Sequence, residues 1–463
     1  MAQTLALWSP HRHDIGHLHG PIFWNQMLKD IHVTQLDLTN GGTVKLGGTA
    51  VGCIVFIPFA KKYGRRSVYI VSTALVAAGV WWTAYMKTTA EVYLTNFVIG
   101  MAGAVNQAAV QMSTRDLFFV HQRGTVNGIY FIASKTGTSL TPMIAGAHAA
   151  KAGYRASYVS LAVCLTLITL LFAGTLEETK FVARDEDGDE KSVDMAEAAS
   201  ASEVDRIVAP LRAPFPRYLR LELITETKES LLSLFREPLQ TWWWPHVLFA
   251  SVVYGMGICW FVVLGTVTAI RFVQEPYGFD SAQVGYMFGA SAIGAVFGCL
   301  YGGFLTDKSI QWLARRNGGV FEPEMRFYLL PLPAVTLSAG LVIFGATTDQ
   351  GAHWLFPALG IVVFSFGFGA TADIVCTVVI DSYPDLVAQT FMAVAFCRNT
   401  VSMIGPVSIS GWMEVMSITN IFITAAFISL AINLTGIPLA IWGKRSRAAI
   451  APKYYKLVGN KVN

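Results

Sequence analysis

The stretch Phe59–Arg66 reads FAKKYGRR and forms a short basic segment between two long apolar runs. Thr43–Phe59 before it is nearly free of charge, and Val68–Tyr85 after it carries no charge. Each run approaches the roughly 17 to 25 residues that a helix needs to cross a bilayer. Because lysine and arginine are costly to carry through hydrocarbon, the stretch predicts a tight helical hairpin whose connection stays in the cytoplasm.

Composition extends this interpretation to the whole chain. Of 463 residues, 53% are hydrophobic and only 14% are charged, and the mean hydropathy is +0.48. A soluble domain usually carries about 25% charged residues, so a soluble protein is excluded. The net charge of +4 is small and the cations cluster between apolar runs, which predicts no nucleic-acid partner. The six cysteines lie inside apolar runs without metal-ligand spacing, so we expect neither disulfides nor a metal site.

Changes in composition divide the chain into five segments. Residues 1–42 form a polar, histidine-containing segment, and residues 43–180 hold the first group of apolar runs, a helical bundle. Residues 181–240 are an acidic cytoplasmic linker whose last part suits either an amphipathic helix on the membrane surface or a solvated connector. Residues 241–443 form a second helical bundle, and residues 444–463 form a basic tail that we place in the cytoplasm.

The basic stretch also carries a family signature. Against a loop of the form Gly-x-Leu-Ala-Asp-Arg-x-Gly-Arg-Arg, the chain matches at Gly64, Arg65 and Arg66. Ile57 stands where the signature has its first glycine, and Lys61 stands where it has aspartate. A weaker second copy, between the eighth and ninth spans, supplies Gly303, Leu305, Asp307 and Lys308. This pair of loops resembles the major facilitator superfamily.

Two further motifs narrow the resemblance. One contains Gly137, Pro142 and Gly146 and is similar to the fifth-span antiporter motif of that superfamily. The other, Arg315–Arg326, is similar to a stretch found in fungal members of the drug:proton antiporter branch. The resemblance implies an all-α integral membrane protein in which two six-helix bundles, related by pseudo-symmetry, rock around a central cavity. The signature loops and the fifth-span motif would serve that conformational change.

The number of apolar runs departs from this scheme. Counting gives about 11 spans, and the first transmembrane helix is the one that is missing. Two explanations stay open. Either the true start lies upstream of Met1, or His11–His19 replaces a span and impairs the protein.

Polar residues inside the apolar runs are the candidates for a substrate or proton pathway, because such groups are costly in a membrane unless they face a cavity or a partner. They are Asn106, Gln107, Lys135, Asp373 and Arg398. A structural role as a hydrogen-bond or salt-bridge partner stays open for each of them. Asp373 is the strongest candidate for a carboxylate that takes up a proton or contacts a cation.

The leading functional hypothesis is a secondary active transporter that exports small hydrophobic molecules, such as drugs, toxins or secondary metabolites, by proton-coupled antiport. The alternatives are an uptake permease for an organic cation such as a polyamine, and a non-transporting sensor or truncated remnant. We expect no enzyme activity, because HExxH, GxSxG and phosphate-loop motifs do not occur. We also expect no cofactor beyond the proton gradient, and a monomer in the plasma membrane, with a vacuolar or other endomembrane as the alternative.

Overall fold

The computed structural model describes residues 19–105, 120–175 and 231–462. All regular secondary structure in these ranges is helical. Nine helical segments in these ranges, three of which join consecutive helices, are long and apolar enough to cross a membrane, judged by length and composition. The fold class expected from the apolar runs is confirmed.

The first half of the chain holds five described helices. Threonine caps begin two of them: Thr34 precedes α2 and Thr88 precedes α4, and each forms a reciprocal capping box with an acidic residue three positions later. Gly153 has φ 84° and ψ 161° and breaks α5 into two arms. The five helices are α1 (His19–Asp30), α2 (Gln35–Tyr63), α3 (Arg65–Tyr85), α4 (Thr89–Gly103) and α5 (Val120–Thr175).

The start of the first bundle differs from the prediction, which assigned residues 1–42 to a polar segment outside it. Helix α2 begins at Gln35, and α1 buries Ile22, Phe23 and Met27 in the main hydrophobic core. This helix was not predicted because its apolar stretch is short and is surrounded by polar residues. Its 12 residues extend about 18 Å, well short of the roughly 30 Å of a bilayer core. Helix α1 alone is therefore too short to span.

The second half begins with the end of the linker and holds ten described α-helices. Short non-α segments lie at three of its connections: a π-helix Tyr301–Leu305 and two 3₁₀-helices, Pro323–Leu329 and Pro384–Leu386. The α-helices are α6 (Leu231–Thr241), α7 (Pro245–Arg271), α8 (Ser281–Leu300), α9 (Thr306–Arg316), α10 (Pro331–Asp349), α11 (Leu355–Ser382), α12 (Val387–Ser402), α13 (Ile404–Val415), α14 (Ile418–Leu434) and α15 (Gly436–Val462).

The predicted basic tail, residues 444–463, is largely helical and packed against the rest of the second half. Arg447 donates two hydrogen bonds of 2.8 Å to Glu324, and Lys444 pairs with Glu322 at 2.7 Å. Glu324 is also 3.8 Å from the buried His246. Helix α15 is thus held beside the 3₁₀-helix that precedes α10.

The two halves meet at two main interfaces. Helix α5 packs against α8 so closely that a Cβ atom added at Gly285 would lie 2.8 Å from the carbonyl oxygen of Pro142. Ser139 and Ser291 share a 3.1 Å hydrogen bond across the same interface. Helix α2 forms the second contact, facing α12 and α13. We call the end of the bundle that carries Lys61–Arg66 the basic end, and the other the opposite end.

Candidate functional site

At the basic end, the first-half loop is held by its backbone and by a buried cation. Gly64 lies between α2 and α3 with φ 101°, in the positive-φ region that residues with a Cβ rarely adopt. Arg66 is buried and donates a 2.9 Å hydrogen bond to the carbonyl oxygen of Ala173, near the end of α5. Two of the residues that match the signature thus fix this hairpin to the last arm of the first half.

Lys61, the residue that replaces the aspartate of the signature, faces the linker helix α6. Its Nζ lies 3.8 Å from Glu237 Oε2. Gln389, near the start of α12, donates a 2.9 Å hydrogen bond to the same oxygen. Glu237 therefore bridges the first-half loop and the second half, and Leu234, on the same short helix, is buried. The predicted linker, residues 181–240, ends in a helix that packs between the halves.

The second-half loop carries its own charge network. Arg326 donates to Asp307 at 3.0 Å and to Asp381 at 2.7 Å. Its side chain is 9% exposed, so the cation depends on both carboxylates for compensation. Asp307 follows the π-helix, Arg326 belongs to the 3₁₀-helix before α10, and Asp381 ends α11. The network ties three connections of the second half together at the basic end.

Asp373 lies beneath this network, two helical turns before Asp381 on α11. It is 7% exposed, and its Oδ2 has no hydrogen-bond partner among the described residues. A Cβ atom added at Gly303 would lie 3.2 Å from that oxygen, and one at Gly302 would lie 2.9 Å from Asp373 Cβ. The π-helix thus brings two glycines against the carboxyl group.

Arg398 lies farther from the basic end, on α12, where this helix meets α2 and α7. It is 8% exposed, and its guanidinium group stands 4.5 Å from the ring centroid of Tyr254. The next residue, Asn399, donates a 3.8 Å hydrogen bond to Cys53 Sγ of the first half. The pair Arg398–Asn399 therefore links the two halves in the interior.

Lys45 is an interior cation that was not predicted, although it is the one charged residue in the apolar run Thr43–Phe59. It lies on α2 and is 7% exposed. Its Nζ forms no hydrogen bond or ion pair with a described residue, although the carbonyl oxygen of Lys45 packs closely against Gly100. The rule that selected the five pathway candidates, a polar or ionisable group inside an apolar run, applies equally to Lys45.

The predicted site residues thus fall into separate groups. Lys61, Gly64, Arg65 and Arg66 lie at the first-half loop, while Gly303, Asp307, Lys308 and Asp373 lie around the second-half loop. Gly137, Pro142 and Gly146 lie on α5, and the last two pack against α8. Arg398 stands apart from Asp373. Asn106 and Gln107 lie outside the described residues, and Lys135 is described only as part of α5. Glu237 and Gln389 were not predicted.

Ionisable groups outside the spans are also tied into the structure at both ends. Burial raises the pKa of Tyr383, whose hydroxyl lies 3.4 Å from His246 Nδ1 at the basic end. At the opposite end, hydrogen bonds from Tyr154 and Arg155 lower the pKa of Asp30. This carboxylate fixes the end of α1 to the turn around Gly153.

Long apolar helices in two halves, with charge networks at one end of both, define a multi-pass integral membrane protein. The Major Facilitator Superfamily model matches residues 17–406, and the chain belongs to that superfamily. The match includes α1.

Three fungal relatives cover most of the chain. An uncharacterized MFS-type transporter of Schizosaccharomyces pombe is 28% identical and covers 94% of this chain and 87% of its own length. Protein HOL1 of Saccharomyces cerevisiae is 26% identical, with coverage of 91% and 82%. A probable drug/proton antiporter of S. cerevisiae, YHK8, is 24% identical, with coverage of 82% and 71%. The chain therefore belongs to a family of membrane transporters, and members of this family are not enzymes.

Proposed function

We propose that this transporter exports small hydrophobic molecules in exchange for protons. The observation that carries the proposal is Asp373, a buried carboxyl group whose Oδ2 has no partner among the described residues. It lies beneath the ion-paired Arg326, so gain or loss of a proton at Asp373 changes the charge balance of the network that ties the basic end together. A proton could in this way be coupled to opening of that end.

The proposal that the substrates are hydrophobic is supported by a cluster of aromatic side chains beside the interface between the two halves. Phe261 and Phe368 stack at 6.1 Å between centroids, and Tyr254, which stands under Arg398, lies 6.0 Å from Phe368. Flat apolar molecules suit such surfaces. The similarity to YHK8 points in the same direction, although at 24% identity.

The same proposal places the chain in the plasma membrane as a monomer driven by the proton gradient. The basic end, with Lys61–Arg66, then faces the cytoplasm, as the distribution of lysine and arginine favours. Uptake of an organic cation and a non-transporting sensor remain the competing functions.

The test is efflux of a panel of fluorescent hydrophobic compounds from cells that express the chain, with and without a proton uncoupler, beside Asp373→Asn. We expect export by the unmodified protein, its loss with the uncoupler, and its loss in Asp373→Asn at equal surface expression. Asp385→Asn, a change at an exposed position of the same end, is the matched control and should retain export. Accumulation in place of depletion would favour the uptake permease, and no movement of any compound would favour the sensor.

A further inference from the structure

Lys45 is a buried cation without a described counter-charge, on α2, a first-half helix that also contacts the second half. A charged ammonium group inside a span is costly unless a carboxylate, a carbonyl or a ligand compensates it. Lys45 is 7% exposed and forms no hydrogen bond or ion pair with a described residue. Its side chain therefore reaches neither lipid nor bulk solvent to any large extent, and its charge needs a partner.

The position of Lys45 around α2 places its side chain toward the centre of the molecule. Gly41 and Gly48 face α4, since an added Cβ at either would contact Asn96 or Phe97. Cys53 faces α12 through Asn399. With 3.6 residues per turn, Lys45 projects between these two directions, next to the region where the first half meets the second.

Most of the described acidic groups are engaged elsewhere, and Asp373, whose Oδ2 has no described partner, lies at the basic end against the π-helix. Asp307 and Asp381 bind Arg326, and Glu324 binds Arg447, all at the basic end. Asp37 is on α2, but it caps that helix at Thr34 and accepts a 2.9 Å hydrogen bond from Tyr93. The second buried cation near the interface, Arg398, adds positive charge and not a counter-charge. Near the interface of the halves, the described interior thus holds two cations, of which Lys45 forms no hydrogen bond or ion pair with a described residue.

We propose that Lys45 contacts a carboxylate on the transported molecule, so that the substrates are hydrophobic organic acids. This inference rests on the proposed transport function and specifies its substrate class. The ammonium group forms a charge-assisted hydrogen bond to the carboxylate, while apolar surface holds the rest of the molecule. An organic cation would meet Lys45 and Arg398 as like charges.

The experiment measures binding to the purified full chain in lipid nanodiscs. The probes are matched pairs, each an aromatic carboxylic acid and its neutral primary amide: benzoic acid with benzamide, 1-naphthoic acid with 1-naphthamide, and 4-biphenylcarboxylic acid with its amide. The unmodified protein should bind at least one acid about 10-fold or more tightly than its amide, as expected for a charge-assisted hydrogen bond. If no acid is preferred over its amide, the proposal is overturned without any variant.

Variants then assign the preference to Lys45. Lys45→Gln should bind the preferred acid and its amide with equal affinity, and Lys45→Arg should keep a preference for the acid, because it keeps the charge. Lys151→Gln removes an exposed lysine of α5 and is the matched control, which should bind as the unmodified protein does. Retention of the full preference in Lys45→Gln overturns the proposal.

Failure of this inference is distinguishable from failure of proton-coupled export. Binding in nanodiscs needs neither a gradient nor a direction of transport. A preference for the acid that depends on Lys45, combined with inward movement of the acid in cells, would refute the export function and support the inference. Uncoupler-sensitive export of neutral compounds by a protein without preference for acids would support the export function and refute the inference.

Discussion

The two signature loops lie at the same end of the bundle but are held by different partners. The second-half loop keeps its aspartate: Asp307 pairs with Arg326, which also binds Asp381, all within the second half. The first-half loop has Lys61 at the corresponding position, and its described acidic partner, Glu237, comes from the linker helix α6. The charge of the second-half loop is therefore compensated within the second half, whereas the described carboxylate beside Lys61 in the first-half loop comes from the linker.

Electrostatics explains why the first-half loop tolerates Lys61 in place of the aspartate of the signature. The first residues of a helix attract negative charge, and the start of α12 lies beside the first-half loop. A lysine there would be unfavourable by itself. Glu237 places a carboxylate between Lys61 and Gln389, the third residue of α12, so the linker supplies the negative charge that the loop has lost. The linker helix is thus part of the contact between the halves.

The largest effect is expected at the second-half loop, from Arg326→Ala. The change leaves Asp381, 21% exposed, without its cation, whereas Asp307, 51% exposed, is screened by solvent, so the cost should lie near the lower end of the roughly 3 to 5 kcal/mol expected for breaking a buried ion pair. The melting temperature of the purified protein in detergent should fall sharply, and transport should be lost. Arg326→Lys is the control, and it should recover part of the stability, since lysine keeps the charge but not the forked geometry. An unchanged melting temperature in Arg326→Ala would contradict the role of this network.

A smaller effect is expected at the first-half loop, from Glu237→Gln. Lys61 and Glu237 are 26% and 19% exposed, so solvent screens their pairing more than it screens Arg326. The variant should melt only slightly below the unmodified protein, but a disulfide or bifunctional cross-link between α2 and α12 at the basic end should form less readily, because the halves separate more easily.

Exchanging the charges of Lys61 and Glu237 distinguishes loss of their ion pair from a general loss of stability. Lys61→Glu should resemble Glu237→Gln, and the double variant Lys61→Glu/Glu237→Lys should recover part of the cross-linking. Recovery is partial because the exchange places a cation at the start of α12. Full additivity of the two single changes would indicate that the residues do not interact.

The sequence predicted the second-half loop better than the first-half loop for a physical reason. Asp307 is part of a local motif, so its position could be inferred from neighbouring residues. Glu237 is separated from Lys61 by more than the length of the first half, and its role depends on where α6 packs. Lys45 could have been identified from the sequence, because it interrupts an apolar run, but its lack of a described counter-charge is visible only in the structure. The packed helix α1 escaped prediction because it is too short to form a recognisable apolar run.

The loops also differ in how strictly they need glycine. Gly64→Ala should cost about 1 to 2 kcal/mol, because φ 101° is strained for any residue with a Cβ atom. Gly303 has helical backbone geometry, and its added Cβ would meet only Asp373 Oδ2 at 3.2 Å. Gly303→Ala should therefore melt close to the unmodified protein. Differential scanning fluorimetry of the two variants compares them directly, and a larger loss in Gly303→Ala would reverse the expected order.

The smallest effect is expected at the opposite end, where Asp30 joins α1 to the turn of α5. Asp30 and Arg155 are 46% and 39% exposed, so their pairing is weakened by solvent. Because the bonds from Tyr154 and Arg155 lower the pKa of Asp30 in the folded state, its contribution is complete above its unfolded pKa of about 4 and is lost as the pH falls through the folded value. The difference in melting temperature between the unmodified protein and Asp30→Asn should be small at pH 7 and should shrink below about pH 4. A difference in melting temperature that grows on acidification would mean that Asp30 does not hold α1 through its charge. The packing of α1 at the opposite end would then need another explanation.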